Sequence, residues 1–207
     1  ALLGWSLSHD RDVFSLEELI AAFDIADVNP NPARFDQKKA EAINGDHIRM
    51  LDAVDFAARI VPYLAGAGLI AEQPTEEDRA IIAAAAPLVQ ERVQLLGEVP
   101  GMLGFLFVSD VEYAEDALRG LPANAAEVLT ASADALEGVS EFTAAAVQDA
   151  LSRALVEELG LKPRVAYGPP RVALTGRRVS PPLFESMELL GKDETLRRLH
   201  ALVAHLG

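Results

Sequence analysis

Helix-opening signals recur along this chain, and nothing in it alternates as a half-buried strand must. Ser15-Leu16-Glu17-Glu18 is a capping box, with Leu16, Leu19, Ile20 and Phe23 following at helical spacing. Thr75-Glu76-Glu77-Asp78 opens another helix, which Pro87 should kink. Phe35–Asn44 reads as a short helix with Gly45 as its left-handed cap, and Asp24–Pro32 as a loop that Asn29-Pro30-Asn31-Pro32 keeps extended. Residues 52–65 place Val54, Phe56, Ala57, Ile60, Val61 and Leu64 on one face, strained at Pro62. Pro100 starts a short apolar helix, and residues 111–120, 124–136 and 140–159 form three more, the last capped by Gly160. Residues 169–174, 182–190 and 192–206 complete the series. No β-branched alternation extends over four residues, and no period repeats. The expectation is an all-α fold in two packed helical units. One spans 1–67, ending at Gly66–Gly68; the other spans 68–207, with an internal break near 160.

Charge is divided unevenly along this pattern. Residues 161–207 hold 8 Lys+Arg and 4 Asp+Glu, whereas residues 1–160 hold 10 and 28. A basic end on an acidic body suits a polyanion held in one place and repelled elsewhere. That end is also rich in stiff turns: Pro163, Gly168-Pro169-Pro170, Gly176, Ser180-Pro181-Pro182 and Gly191. Arginines on short rigid elements can read a surface, while arginines on a floppy tail only attract phosphate.

Several chemistries are excluded. With no cysteine there is no disulfide, zinc–thiolate site or thiol nucleophile. That fits a cytoplasmic protein. The longest apolar run, Ala80–Val89, is too short to span a bilayer, and the opening residues do not read as a signal peptide. The opening Ala1-Leu2-Leu3-Gly4-Trp5 reads as the start of a piece of a longer protein. His9 falls in a polar loop beside Asp10, and His200 and His205 are five apart, which is not metal-ligand spacing on one helical face. Gly-x-Gly-x-x-Gly, the Gly-rich phosphate loop and Gly-x-Ser-x-Gly are all missing. No catalytic or metal site can be assembled, so the chain taken alone should be inactive as a catalyst.

Three ordered groups of motifs carry a resemblance over the whole length. The first is Leu2-Leu3-Gly4-Trp5 with Phe14-Ser-Leu-Glu-Glu-Leu19. The second is Asn31-Pro-Ala-Arg-Phe-Asp-Gln-Lys-Lys39 with Asn44 and His47-Ile48. The third is Arg171-Val-Ala-Leu-Thr-Gly176, Pro182-Leu-Phe184, Leu189-Leu-Gly-Lys192 and Arg197-Arg-Leu199. Together they resemble the non-catalytic C-terminal half of bacterial glutamyl-tRNA synthetases, class I aminoacyl-tRNA synthetases. The resemblance implies a helical domain that meets the inner side of the tRNA, then a helical anticodon-binding domain. The family's upstream Rossmann domain binds ATP and Mg²⁺ and activates glutamate, so this chain needs no cofactor of its own. The implied partners are tRNA-Glu, tRNA-Gln as well if the parent enzyme is non-discriminating, and the chain's own catalytic domain. No membrane is implied, and the state is monomeric.

The resemblance places anticodon contacts at Arg92, Arg171, Ser180, Pro181 and Leu183. An arginine can make paired hydrogen bonds to a base edge, and single-stranded loops expose those edges. Arg92 would bear on the third anticodon base, where the glutamate and glutamine tRNAs differ. A second reading of Arg92 is a solvated helix arginine paired with Glu91 or Glu98, and of Ser180-Pro181-Pro182 a plain helix–helix turn. Arg177 and Arg178 are read as phosphate contacts or as simple surface charge. Arg34, Lys38 and Lys39, with Asn31, would touch the tRNA body. Phe35 reads as core, and Trp5 and Phe14 as core or as a seam to another domain. A rival from a different class is an acidic helical protein–protein interaction module with no nucleic-acid role.

Overall fold

A computed structural model describes residues 4–8, 11–29 and 34–207. Leu2, Leu3, His9, Asp10 and residues 30–33, which hold Asn31 and most of the Asn-Pro turn, lie outside them. Among the described residues every regular element is a helix. The caps form as the sequence spells them. Ser15 Oγ accepts from the Glu18 amide at 3.1 Å, while the Glu18 carboxylate accepts from the Ser15 amide at 2.8 Å, opening α1 (Leu16–Ala22). Thr75 and Asp78 make the same reciprocal pair at the start of α4 (Glu76–Gln90). Pro62 and Pro87 sit inside α3 (Ala53–Gly66) and α4, which run through them without a break.

Three local expectations are corrected. Ile25–Asp27 forms a single 3-10 turn within the expected loop, seeded by the Asp24 side chain. The helix expected over residues 35–44 is α2 (Gln37–Met50), capped by Asp36 and continuing through Gly45. Gly45 is buried there for space: a Cβ would lie 3.3 Å from Gln94 Cγ and 3.2 Å from Arg49 Nη1. Asn44 Nδ2 donates to the Gln94 carbonyl at 2.5 Å, so α2 presses on the segment after α4. A glycine needed for close approach looks in sequence like a glycine cap. Phe35, expected in the core, is 61% exposed.

The buried side chains form two clusters. The first joins α3, α4 and α5 (Val99–Leu103) through Phe56, Ile60, Leu64, Ile82, Val89 and Leu103. The second joins α7 (Ala125–Glu137), α8 (Ala144–Leu151), α10 (Gly168–Thr175), α11 (Leu183–Leu190) and α12 (Lys192–Leu206). The helices flanking Gly66–Gly68 share the first core, and the hydrophobic division falls in the segment between Phe107 and Tyr113. The short α6 (Glu115–Arg119) and α9 (Pro163–Ala166) border the second core. α8 continues as a wider π-helical stretch, Ser152–Glu158, and ends at Gly160 with φ 65°, the expected left-handed cap.

The two clusters meet where Leu189 of α11 packs against the first, and a buried cation ties them further. Arg198 of α12 is 3% exposed. Its Nη1 donates to the Phe105 and Leu174 carbonyls at 2.9 and 2.8 Å, and its Nη2 to the Val108 carbonyl at 2.7 Å. Its Nε donates to Glu194 at 2.5 Å. Phe105 and Val108 leave the first cluster, and Leu174 belongs to α10 in the second. Beside this tie, Gly176 at φ 69° ends α10 against residues 112–114, and its carbonyl accepts from the Ala114 amide at 2.9 Å. A Cβ on Gly176 would fall 2.1 Å from the Glu112 carbonyl oxygen.

Both ties should be sensitive to substitution. Gly176→Ala combines a left-handed backbone with an overlap, and should lower the urea-derived unfolding free energy by at least about 2 kcal/mol. Arg198→Met leaves the Phe105, Leu174 and Val108 carbonyls without their donor, while Glu194 keeps Arg197, and should cost at least about 2 kcal/mol in the same measurement. A change under about 1 kcal/mol for either would mean the segment relaxes around it.

Candidate nucleic-acid interface

α10 starts with Gly168-Pro169-Pro170, prolines that fit the first turn because their missing N–H groups have no intrahelical partner there. Arg171 therefore projects from a short, stiff element fixed at both ends. Tyr167, just before it, packs edge-on against Phe184 of α11, with ring centroids 5.2 Å apart. Arg198 and Gly176 hold the other end.

The guanidinium of Arg171 is seated by the next turn. Nη1 donates to Ser180 Oγ at 2.5 Å and to the Pro181 carbonyl at 2.9 Å. Ser180 and Pro181 are buried, and Ser180 Oγ donates in turn to the Pro181 carbonyl at 2.9 Å. These partners are neutral oxygens. No carboxylate compensates the charge, so burial first, and then the nearby positive charge of Arg92, push Arg171 below the ordinary arginine range. It stays a cation at neutral pH, held where a second cation disfavours it.

Arg92 lies in the turn after α4, its amide bonded to the Val89 carbonyl at 2.8 Å and its side chain exposed. Neither Glu91 nor Glu98 pairs with it. Glu98 instead accepts from the Gln94 and Leu95 amides at 2.8 and 3.2 Å. Residues 79 positions apart in sequence, Arg92 and Arg171 are thus brought within electrostatic reach.

Not every predicted contact joins this group. Leu183 is a core residue at 4% exposure, so it supports α11 and offers no open face to a base. Ser180 and Pro181 act on Arg171. Arg177 and Arg178 follow Gly176 with exposed side chains. Arg34, Lys38 and Lys39 lie at the start of α2; Lys39 pairs with Asp12 at 2.8 Å, while Arg34 and Lys38 have no carboxylate partner among the described residues. Nothing groups these three with Arg171. No cluster of His, Cys, Asp and Glu among the described residues could hold a metal ion.

The cations divide into two populations. Arg49, Arg59, Arg119, Arg197 and Arg198 each pair with an acid three or four residues away. Arg92, Arg164, Arg171, Arg177 and Arg178 have no carboxylate within 4 Å among the described residues. The difference can be read in the sequence, since none of these five has an acid at those spacings. From Leu159 to Phe184 there are five basic residues and no acidic one. This signal brings in Arg164, which motif reading missed. Arg164 lines an open cleft of about 890 Å³ with Arg171, Arg178 and Tyr167.

Comparison with known proteins points to one family. Residues 55–203 match the family model described as the anticodon binding domain. The glutamate–tRNA ligase of Leifsonia xyli subsp. xyli is 66% identical over 210 residues, covering 100% of this chain and 43% of that protein. The glutamate–tRNA ligase of Paenarthrobacter aurescens is 60% identical over 203 residues, covering 97% of this chain and 40% of that protein. The chain thus spans about two-fifths of the length of these relatives. The crystal structure of a glutamate tRNA ligase from Elizabethkingia meningosepticum, in complex with its amino acid, superposes over 100% of this chain and 40% of its own, with a TM-score of 0.79 at 24% identity, and shares the fold.

The facing charges give one direct expectation. Arg92→Gln removes a repulsion and no pairing, so the melting temperature should stay equal or rise, more so at low salt. A lower melting temperature would mean Arg92 makes a stabilising contact.

Proposed function

The chain belongs to the anticodon-binding domain family, and we propose that it is the tRNA-reading half of a glutamate–tRNA ligase. Its work is binding: it recognises the anticodon loop and sets the tRNA against a catalytic domain elsewhere in the protein. That domain attaches glutamate using ATP and Mg²⁺, in the cytoplasm, with the enzyme a monomer. The cognate tRNA is tRNA-Glu.

One observation carries the reading. Arg171 is preorganised on Ser180 and Pro181, beside Arg92, with no carboxylate satisfying either side chain. An anion or a base edge relieves the repulsion that the free chain sustains. Arg171 and Arg92 are the base readers, and Ser180 and Pro181 position the first. Arg177 and Arg178 meet phosphates. A reader at Arg92 rigidly tied to one at Arg171 suits discrimination between glutamate and glutamine anticodons.

The first unit has a different task. Leu16, Ile20 and Ile25 are well exposed, Ile20 to 71%, although α1 is amphipathic by sequence. Trp5 packs edge-on against Phe14 and at a tilt against Phe23, at centroid distances of 6.1 and 5.7 Å. The apolar face left open on α1 is the seam to the catalytic domain, and Arg34 and Lys38 reach the tRNA body. A purely protein-binding module would use that face too, but would have no need of Arg92 and the arginines from 164 to 178, which have no carboxylate partner among the described residues.

The test is salt-titrated fluorescence anisotropy of this chain with a tRNA-Glu transcript and an anticodon-substituted one. Binding should weaken on anticodon change. Arg92→Ala with Arg171→Ala should abolish that difference, each lost base contact being worth about 1–3 kcal/mol. Binding that ignores the anticodon in the unmodified chain would overturn the reading.

A further inference from the structure

The cleft beside Arg171 has a wall that anticodon reading by Arg92 and Arg171 does not use. Arg164 stands on α9, and Arg178 on the turn after α10. Neither has a carboxylate partner among the described residues. Asp116 lines the same cleft but lies beyond ion-pair distance of both. In a chain with 32 acidic and 18 basic residues, two arginines that converge on one cleft and avoid every acid are set apart.

Arg178, though exposed, has a defined seat. Its guanidinium lies over Gly120, the residue that ends α6. A Cβ on Gly120 would meet Arg178 Nε at 3.2 Å and Cζ at 3.3 Å, and the Asp116 carbonyl at 3.2 Å. Gly120 has φ −85°, a conformation open to any residue, so the backbone does not call for glycine. What glycine supplies is room for the guanidinium to lie flat. Between the arginines the surface is apolar: Val165 is 39% exposed and Val179 76%. The volume of about 890 Å³ lies in the range, roughly 300–1,000 Å³, of pockets that take small ligands.

We infer that this cleft is a second nucleotide subsite. It binds the phosphodiester of an anticodon-loop nucleotide next to the one Arg171 reads, between Arg164 and Arg178, with that nucleotide's base on Val165 and Val179. Gly120 is the positioning residue that sets Arg178. The inference rests on the tRNA-binding reading above. Phosphate contacts carry no base information, so the subsite supplies affinity and register without specificity. Its signature is therefore separable from that of Arg171.

The experiment measures the salt dependence of tRNA-Glu binding by this chain, unmodified and as Arg164→Gln/Arg178→Gln, Gly120→Ala and Arg171→Gln. Melting temperatures check that each variant folds. Each single-strand phosphate contact contributes about 0.7 to the slope of log K against log salt. With one phosphodiester held between the two arginines, the double variant should lower the slope by about 0.7, and Gly120→Ala by part of that, with the cognate-to-substituted anticodon affinity ratio unchanged. Arg171→Gln should reduce that ratio. An unchanged slope in the folded double variant overturns the subsite while leaving anticodon reading intact. A fall in the anticodon ratio with Arg164→Gln/Arg178→Gln overturns it as well, because the cleft would then be reading a base. If the unmodified chain binds without regard to anticodon, a lowered slope still supports a phosphate site, and the reading at Arg171 alone fails. If it binds no tRNA at low salt, both fall.

Discussion

The buried guanidinium of Arg198 is the constraint on which the arrangement turns. Four hydrogen bonds from one side chain reach α12 itself, the C-terminal end of α10, and the strand of chain that leaves the first core. A buried charge is costly without partners, and here every donor direction used ends on a carbonyl or on Glu194. The same bonds fix the end of α10 against residues 105–108. Arg171 is less than one turn away from Leu174, and Arg92 stands on the core from which residue 105 emerges. With Leu189 of α11 packed on the first core, these bonds hold the two cores in one spacing, and with them Arg92 and Arg171.

That spacing is electrostatically unfavourable in the free chain. Burial and Arg92 both act against the charge on Arg171. The chain tolerates this because Arg171 is seated on two neutral oxygens, which fix its direction without cancelling its charge. A carboxylate at Ser180 would stabilise the free protein better and would compete with any RNA ligand. Stability forgone at a site, with partners that orient but do not neutralise, is the physical mark of a binding surface.

Much of this was legible in sequence, and the failures have common causes. Caps and breakers placed the helices well, since Ser15-Glu18, Thr75-Asp78, the prolines at residues 169–170 and Gly160 act through local backbone chemistry. Gly45 and Phe35 misled because their roles are set by residues far away in sequence, as Gln94 shows for Gly45. The basic end and Arg171 could be read from local charge density. The seating of Arg171 on Ser180, and the core position of Leu183, could not, because a turn that caps a helix and a turn that holds an arginine have the same composition. Arg164 was overlooked for want of a motif, although the missing acid three or four residues away marks it as clearly as it marks Arg171.

That spacing rule also explains how a chain of net charge −14 can serve a polyanion. Acids placed one helical turn from an arginine neutralise it locally, as Asp46, Asp55, Glu115 and Glu194 do. Acids excluded from residues 159–184 leave that segment positive however negative the remainder is. Beyond about 8–10 Å at physiological salt the acidic body is screened, whereas a phosphate bound at this segment would meet the arginines in contact. The overall charge therefore acts mainly on approach, disfavouring RNA on every other face, and the local pattern decides where it stays. Net charge is the wrong scale on which to judge such a surface; the distance from each cation to its nearest acid is the right one.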